Sequence, residues 1–321
     1  MRHRALLAAA LALAAIPHAG HAGPHVRIAT EGAYLPWNGT DASGKLIGFE
    51  VELAADLCRR IGATCEIVTQ EWSGMIPGLI AGRYDVIMAG MSITDERKQL
   101  IDFAGPYATA PTAFAAMSGS RLLNVLPSGS PVDMAEVDAG EGRAIGAMSE
   151  ALRGSMVGVQ AGTVQAAMLM ALFPRVVVRA YATAGDMLPD LIAGNLSAVV
   201  ADRATLDGIA KTDPRIRIFG PNFSRGLLGE GIGAGVRKGD TDLKEQLESA
   251  ITSATEDGTV ARLSRQWFGY DVGLRGAKVQ ADVDHGAQRA GYGAQILAAC
   301  FGIAALRRRF RGKMSGAGAT A

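Results

Sequence analysis

The side chains best placed for chemistry in this chain are few and mostly charged. Ser92 and Arg97 lie in YDVIMAGMSITDERKQLIDF (84–103). There, residues 85–89 predict a short buried strand, Gly90 a tight turn, and Thr94 the cap of a helix with Asp95 and Glu96 in its first turn. That order sets both side chains just past the C-terminal end of a strand, the edge at which open α/β sheets bind ligands. A guanidinium offers a carboxylate two parallel donors, and charge-assisted bonds of this kind contribute about 1.5–3 kcal/mol each. The alternative for Arg97 is a solvated helix arginine among neighbouring charges. Glu31 and Tyr34 follow the predicted strand VRIAT (26–30) and leave its sheet at the same edge. Trp72 sits in a loop after the next strand, as a packing residue or as a flat platform for a cation. Asp202 closes the strand LSAVVA (196–201), as the N-cap of helix 203–210, as a ligand carboxylate, or as both. Around Ala161-Gly162-Thr163, a strand, a glycine turn and a helix start place free N–H groups where an anion can dock, and Thr163 and Gln165 add side-chain donors. An ordinary strand–helix turn is the alternative there.

The elements that position these residues alternate strand and helix. Strand 26–30, a helix carrying Leu53, Leu57 and Ile61 and stopped at Gly62, strand 66–69, a short helix with Ile76, Leu79 and Ile80, and strand 85–89 make a parallel α/β unit. AGPYATAPTAFAAM (104–117) changes to proline, small and aromatic residues and suits a strand crossing between two lobes. Residues 118–153 read as a surface insertion with no assigned chemistry. A second α/β unit follows, with strands 156–160, 176–180 and 196–201 and a helix 184–193 that turns Leu188 and Ile192 inward. IRIFG (216–220) and Pro221 cross back, and amphipathic helices at 241–255 and 258–267 complete the body. The expected organisation is therefore lobe I from 23–110 and 223–272, and lobe II from 111–222.

The chain has 321 residues, 49% apolar and 20% charged, enough for two ordinary domains. Residues 1–22 pair Arg2, His3 and Arg4 with an apolar run at 5–16 and small residues at Gly20 and Ala22, the pattern of a cleaved secretory signal. Export implies an oxidising compartment, where Cys58 and Cys65, meeting across the turn at Gly62, form a disulfide or remain two buried thiols; Cys300 is left over. Residues 23–272 hold 22 basic and 29 acidic residues, which does not suit a nucleic-acid binder. The tail 273–321 is basic and rich in Gly and Ala; its apolar run 296–306 is too short for a membrane span, and a disordered tail or a short membrane-surface contact is expected.

Taken together, ATEGAYLPWN (29–38), LIGFEVELAADLC (46–58), YDVIMAGMSITDER (84–97), VGVQAGT (157–163) and GAGVRKGDTDLK (233–244) resemble the family 3 periplasmic solute-binding proteins of ABC importers, in particular those for lysine/arginine/ornithine, histidine, octopine and nopaline. The resemblance spans residues 26–272 without most of the insertion. It implies an α/β fold of the type II periplasmic binding kind, two lobes joined by two crossing strands that close on an amino acid. It implies that Arg97, the backbone near Ser92, and the N–H groups at Thr163 and Val164 hold the ligand's α-carboxylate. Ser92, Asp202 and the Gly90 carbonyl would take the α-ammonium, with the ligand side chain along Trp72 and Tyr34 and its distal charge facing Glu31. It also matches Cys58 and Cys65 to a disulfide of the basic amino-acid binders. Ala89 and Gly90 replace serines of the lysine/arginine/ornithine binders and resemble the opine binders, whereas Asp202 resembles the amino-acid binders.

The expected function is periplasmic delivery of a cationic amino acid, or alternatively an opine, to an ABC permease by a monomer without cofactor or metal. A lyase of the same architecture and a sensory receptor module are the rivals. Against the enzyme, the chain past residue 22 contains only His25 and His285, and Gly90-Met91-Ser92-Ile93-Thr94 is not a nucleophile elbow. Gly229–Val236 holds no complete dinucleotide fingerprint.

Overall fold

A computed structural model describes residues 24–274. The expected signal (1–22), Cys300 and nearly all of the basic tail lie outside the described residues. The chain begins with β1 (His25–Thr30), β2 (Ala33–Tyr34), β3 (Asn38–Thr40), β4 (Leu46–Ile47), α1 (Phe49–Arg60), β5 (Thr64–Thr69), α2 (Met75–Ile80), β6 (Val86–Ile87), α3 (Asp95–Leu100) and β7 (Asp102–Ala108). It continues with β8 (Thr112–Met117), β9 (Pro131–Asp133), α4 (Ala139–Ala151), β10 (Met156–Gln160), α5 (Val164–Leu172), β11 (Val177–Tyr181), α6 (Met187–Ile192), β12 (Ala198–Asp202), α7 (Arg203–Thr212) and β13 (Ile216–Ser224). β14 (Ile232–Val236), α8 (Thr241–Glu256) and α9 (Thr259–Phe268) return to the first lobe.

Each lobe is a mixed sheet with its own core. The first sheet runs β5-β1-β6-β14-β7, with β1 parallel to β5 and β6 and β14 antiparallel to its neighbours. The second runs β11-β10-β12-β8-β13-β9. A small antiparallel sheet, β2-β3-β4, folds the loop after β1 back over the first lobe. Leu53 and Leu57 of α1, Trp37, Phe49 and Phe268 fill one side of the first sheet. Phe114 anchors the second core, with ring centroids 5.5 Å from Phe173, 5.9 Å from Phe219 and 6.1 Å from Phe223.

The chain crosses between sheets twice. The first crossing is the stretch between Ala108 and Thr112. The second was expected at Gly220 and Pro221, but β13 stays in the second sheet as far as Ser224 and Leu228 packs in the second core. The return crossing therefore falls between Leu228 and Ile232, and residues 223–228 go with lobe II. Glycines permit it: a Cβ at Gly229 would lie 2.5 Å from the Ile93 carbonyl oxygen, and one at Gly231 2.8 Å from that of Ala108. Close backbone approach, not phosphate binding, accounts for this glycine run.

Residues 118–153 are more than a surface insertion. β9 pairs with β13, and Leu122, Val132, Met148 and Leu152 are buried in the second core. The helix α4 starts with a capping box, Asp138 accepting from Glu141 N and the Glu141 side chain accepting from Asp138 N. Ile192 is 42% exposed, and Met187 and Leu191 form the inward pair of α6 instead. Ile80 is likewise exposed, leaving Met75 and Leu79 to anchor α2. In both helices the buried pair is four residues apart, one turn of a single inner face.

Cys58 near the end of α1 and Cys65 in β5 form a disulfide with Cα atoms 6.1 Å apart. Peptide mapping of unreduced protein is expected to return a linked Cys58–Cys65 peptide. The double variant Cys58→Ser/Cys65→Ser should lose about 2 kcal/mol of stability in chemical denaturation, because the short closed loop no longer restricts the unfolded chain. Free thiols at both positions would contradict the pairing.

Candidate functional site

The ends of β1, β6, β10 and β12 converge on the seam between the sheets, where a cleft open to solvent holds about 400 Å³ of empty space, its mouth included. Its walls include all ten residues singled out from the sequence: Glu31, Tyr34, Trp72, Gly90, Ser92, Arg97, Thr163, Val164, Gln165 and Asp202. The lobes stand closed on each other. Bonds across the seam agree with closure. The Trp72 Nε1 donates to the Gly162 carbonyl at 3.2 Å, Gln160 Nε2 to Glu31 Oε1 at 2.6 Å, and Trp37 Nε1 to Asp202 Oδ1 at 3.0 Å.

Arg97 owes its position to the start of α3. Thr94 caps the helix by accepting from Arg97 N, and the guanidinium folds back to donate to the Ser92 carbonyl at 2.9 Å. Its Cζ lies 5.2 Å from the centre of the Trp72 ring, a cation–π contact. Among the described residues it has no carboxylate within ion-pair distance, and burial pulls its pKa down to about 10. Ser92 is itself 7% exposed and bridges Ile232 at the return crossing.

Glu31 follows β1 directly. Burial pushes its carboxyl up to about 7; the Gln160 bond opposes that shift, and the charges of Asp186 and Glu50 add to it. Tyr34 packs against both cores, and burial beside Asp202 holds its phenol well above the ordinary value. Gly90 takes a left-handed φ of 62°, and a Cβ there would meet the Tyr34 ring at 3.4 Å. Its N–H donates to both oxygens of Glu50, at 2.7 and 2.9 Å.

Thr163 caps α5, accepting from Ala166 N at 3.3 Å and donating to the Gln160 carbonyl at 2.8 Å. First-turn N–H groups of α5, such as that of Val164, have no acceptor within the helix. The Gln165 amide is already engaged, donating to Thr112 Oγ1 at 3.2 Å. Asp202 ends β12, is 2% exposed, and caps α7 by accepting from Thr205 N at 2.9 Å. Both sequence alternatives are thus open to it at once: Oδ1 does the capping, while Oδ2 is buried without a partner.

Trp37 and Gln160, which line the cleft, and Glu50, which stands behind it, were not picked out from the sequence. Trp37, fully buried, belongs to the same post-strand loop as Glu31 and Tyr34, so its aromatic character in that loop was an available signal. Gln160, the last residue of β10, was available by the same strand-end rule. Glu50 had none, being a carboxylate in the first turn of a helix, a position usually exposed. Its two oxygens accept from Gly90 N, Asn38 Nδ2 and the Tyr107 hydroxyl, and Asn38 Oδ1 in turn accepts from Gly32 N. One buried carboxylate therefore ties together the turns that carry Glu31 and Gly90. Among the described residues no cluster of His, Cys, Asp and Glu can hold a metal ion.

Residues 26–270 match the model of the bacterial extracellular solute-binding proteins, family 3. The octopine-binding periplasmic protein of Rhizobium meliloti is 37% identical over 295 residues, covering 85% of this chain and 99% of that protein. The L-arginine-binding protein of Pseudomonas aeruginosa is 34% identical over 278 residues, covering 85% and 98%. Among solved structures, a periplasmic His/Glu/Gln/Arg/opine family-binding protein from Silicibacter pomeroyi in complex with lysine superposes with a TM-score of 0.63 at 33% identity, covering 78% of this chain and 99% of that one. With two closed α/β lobes, polar side chains at the strand ends of the seam, and a family match across both, the chain belongs to family 3 of the bacterial extracellular solute-binding proteins.

Proposed function

We propose that the cleft takes up a cationic α-amino acid of the arginine, lysine, ornithine or histidine class in the periplasm, and that the closed monomer hands it to the membrane permease of an ABC importer. One observation carries this reading: a half-buried guanidinium without a carboxylate partner and the buried Asp202 carboxylate, one oxygen of which lacks a donor of good geometry, belong to residues that line the same cleft. A zwitterion supplies both missing partners. Its α-carboxylate bonds to Arg97, Ser92 and the N–H groups at Thr163 and Val164. Its α-ammonium bonds to Asp202 Oδ2, Ser92 and the Gly90 carbonyl, and its side chain lies along Trp72 and Tyr34 toward Glu31. Wrong ligands leave one of these buried groups unpaired, at a cost of about 1–3 kcal/mol or more for a charged group, so selectivity follows from desolvation.

An opine is the second reading, favoured by the octopine-binding relative and by the Ala89-Gly90 turn. An opine carries a further carboxylate beside its amine, which Asp202 would repel, and this supports the amino acid. Export through residues 1–22 and the periplasmic relatives support the location.

Arg97→Ala is expected to weaken L-arginine binding by at least ~2 kcal/mol in calorimetry. Unchanged affinity would remove the residue from the carboxylate site. Glu31→Gln should reduce affinity for L-arginine more than for L-glutamine, and equal losses would refute a role in reading the distal charge. Because the Glu31 carboxyl stands at about 7, it is mostly neutral near pH 6 and mostly ionised near pH 8, and a cationic side chain favours the ionised form. Affinity for L-arginine should therefore rise over that interval with proton release on binding, measured by calorimetry in buffers of different ionisation enthalpy. In Glu31→Gln the slope should vanish.

A further inference from the structure

We infer that Trp37 is a positioning residue that fixes the Asp202 carboxylate and reserves its second oxygen for a ligand ammonium; the ligand class rests on the reading above. Asp202 has two oxygens with different surroundings. Oδ1 accepts twice, from Thr205 N at 2.9 Å on its own helix and from Trp37 Nε1 at 3.0 Å on the opposite lobe. Oδ2 is buried and has no partner of good hydrogen-bond geometry among the described residues, although the Tyr34 phenol lies beside the carboxylate. A single capping bond leaves a carboxylate free to rotate about its χ angles; a second, charge-assisted donor from another direction holds its plane.

The indole is a rigid donor. Trp37 is fully buried, with its ring edge-on to Phe49 at 5.7 Å and tilted against Phe268 at 4.8 Å. Ala204, in the first turn of α7, packs into the same core. The donor thus belongs to the frame of lobe I and the acceptor to the tip of β12. With Oδ1 held from both lobes, the plane of the carboxylate is set in the closed state, and Oδ2 is the oxygen left for a cation. Trp72 also donates across the seam, but to a backbone carbonyl, whereas Trp267 donates to Glu52 inside lobe I and touches neither the cleft nor Asp202.

The test compares L-arginine with 5-guanidinopentanoate, which keeps the carboxylate and the guanidinium and lacks the α-ammonium. Trp37→Phe preserves the ring packing and removes the N–H. It is expected to weaken L-arginine about ten-fold in calorimetry and 5-guanidinopentanoate no more than about two-fold, because only the first ligand uses Asp202. Equal losses for both ligands, or no loss for L-arginine, overturn the inference while leaving the proposed function standing. Absence of L-arginine binding to the unaltered protein, with no binding of octopine either, brings down the proposed function and this inference with it. If Trp37→Phe does not fold, the indole N–H signals of the ¹⁵N-labelled protein decide, assigned through Trp72→Phe and Trp267→Phe. Asp202→Ala should shift the Trp37 signal and leave that of Trp267 in place, and an unmoved Trp37 signal refutes the bond.

Discussion

Charge held out of water without its counter-charge is the constraint under which the rest of this molecule is built. Arg97 and Glu31 are half-buried at the seam and Asp202 Oδ2 is fully buried, and the shifts of the first two, down to about 10 and up to about 7, both have desolvation as their largest cause. Taking such groups from water costs several kcal/mol apiece before any compensation. The Ser92 carbonyl and the Trp72 ring offset part of that for Arg97. The remainder is offset by the apolar packing on the sheets of both lobes, and it returns when a ligand of matching charge arrives.

Glu50 and Asp202 show how the same residue chemistry divides into frame and site. Burial raises the pKa of Glu50, and bonds from Tyr107, Gly90 and Asn38 oppose the rise, so both oxygens are occupied and the group serves as an internal strut. Asp202 is as deeply buried, yet only one of its oxygens is occupied. A carboxylate with all its acceptors used holds backbone turns in place; one with an acceptor left over is poised to hold something else.

The strut also explains why loops can carry a precise site. The turns after β1 and β6 have little regular structure of their own, and Gly90 is in a conformation that most residues avoid. Glu50 and Asn38 fasten both turns to the start of α1, which is itself packed through Phe49, Leu53 and Leu57. At the return crossing the glycines at 229 and 231 let the backbone pass close to Ile93 and Ala108, so the lobes are joined by tightly packed chain and not by a loose linker.

The local rules of the chain were enough to determine the alternation of strands and helices, the cap at Thr94, and the strand ends that carry Glu31 and Asp202. Each of these depends on residues within a few positions of one another, through side-chain period, capping and turn chemistry. The resemblance to a known family added the grouping of Arg97 with those carboxylates. What the tertiary structure alone decided lies in long-range packing. Residues 118–153 look polar and aperiodic, but their few apolar side chains find the second core; Ile192 fits an inward helical pattern, but Met187 and Leu191 hold that face. The donor that Trp37 supplies to Asp202 comes from 165 positions away in the chain, and the three donors to Glu50 come from three separate segments. No periodicity records such pairings, because a buried hydrogen bond between distant residues exists only once two folded surfaces meet and exclude water.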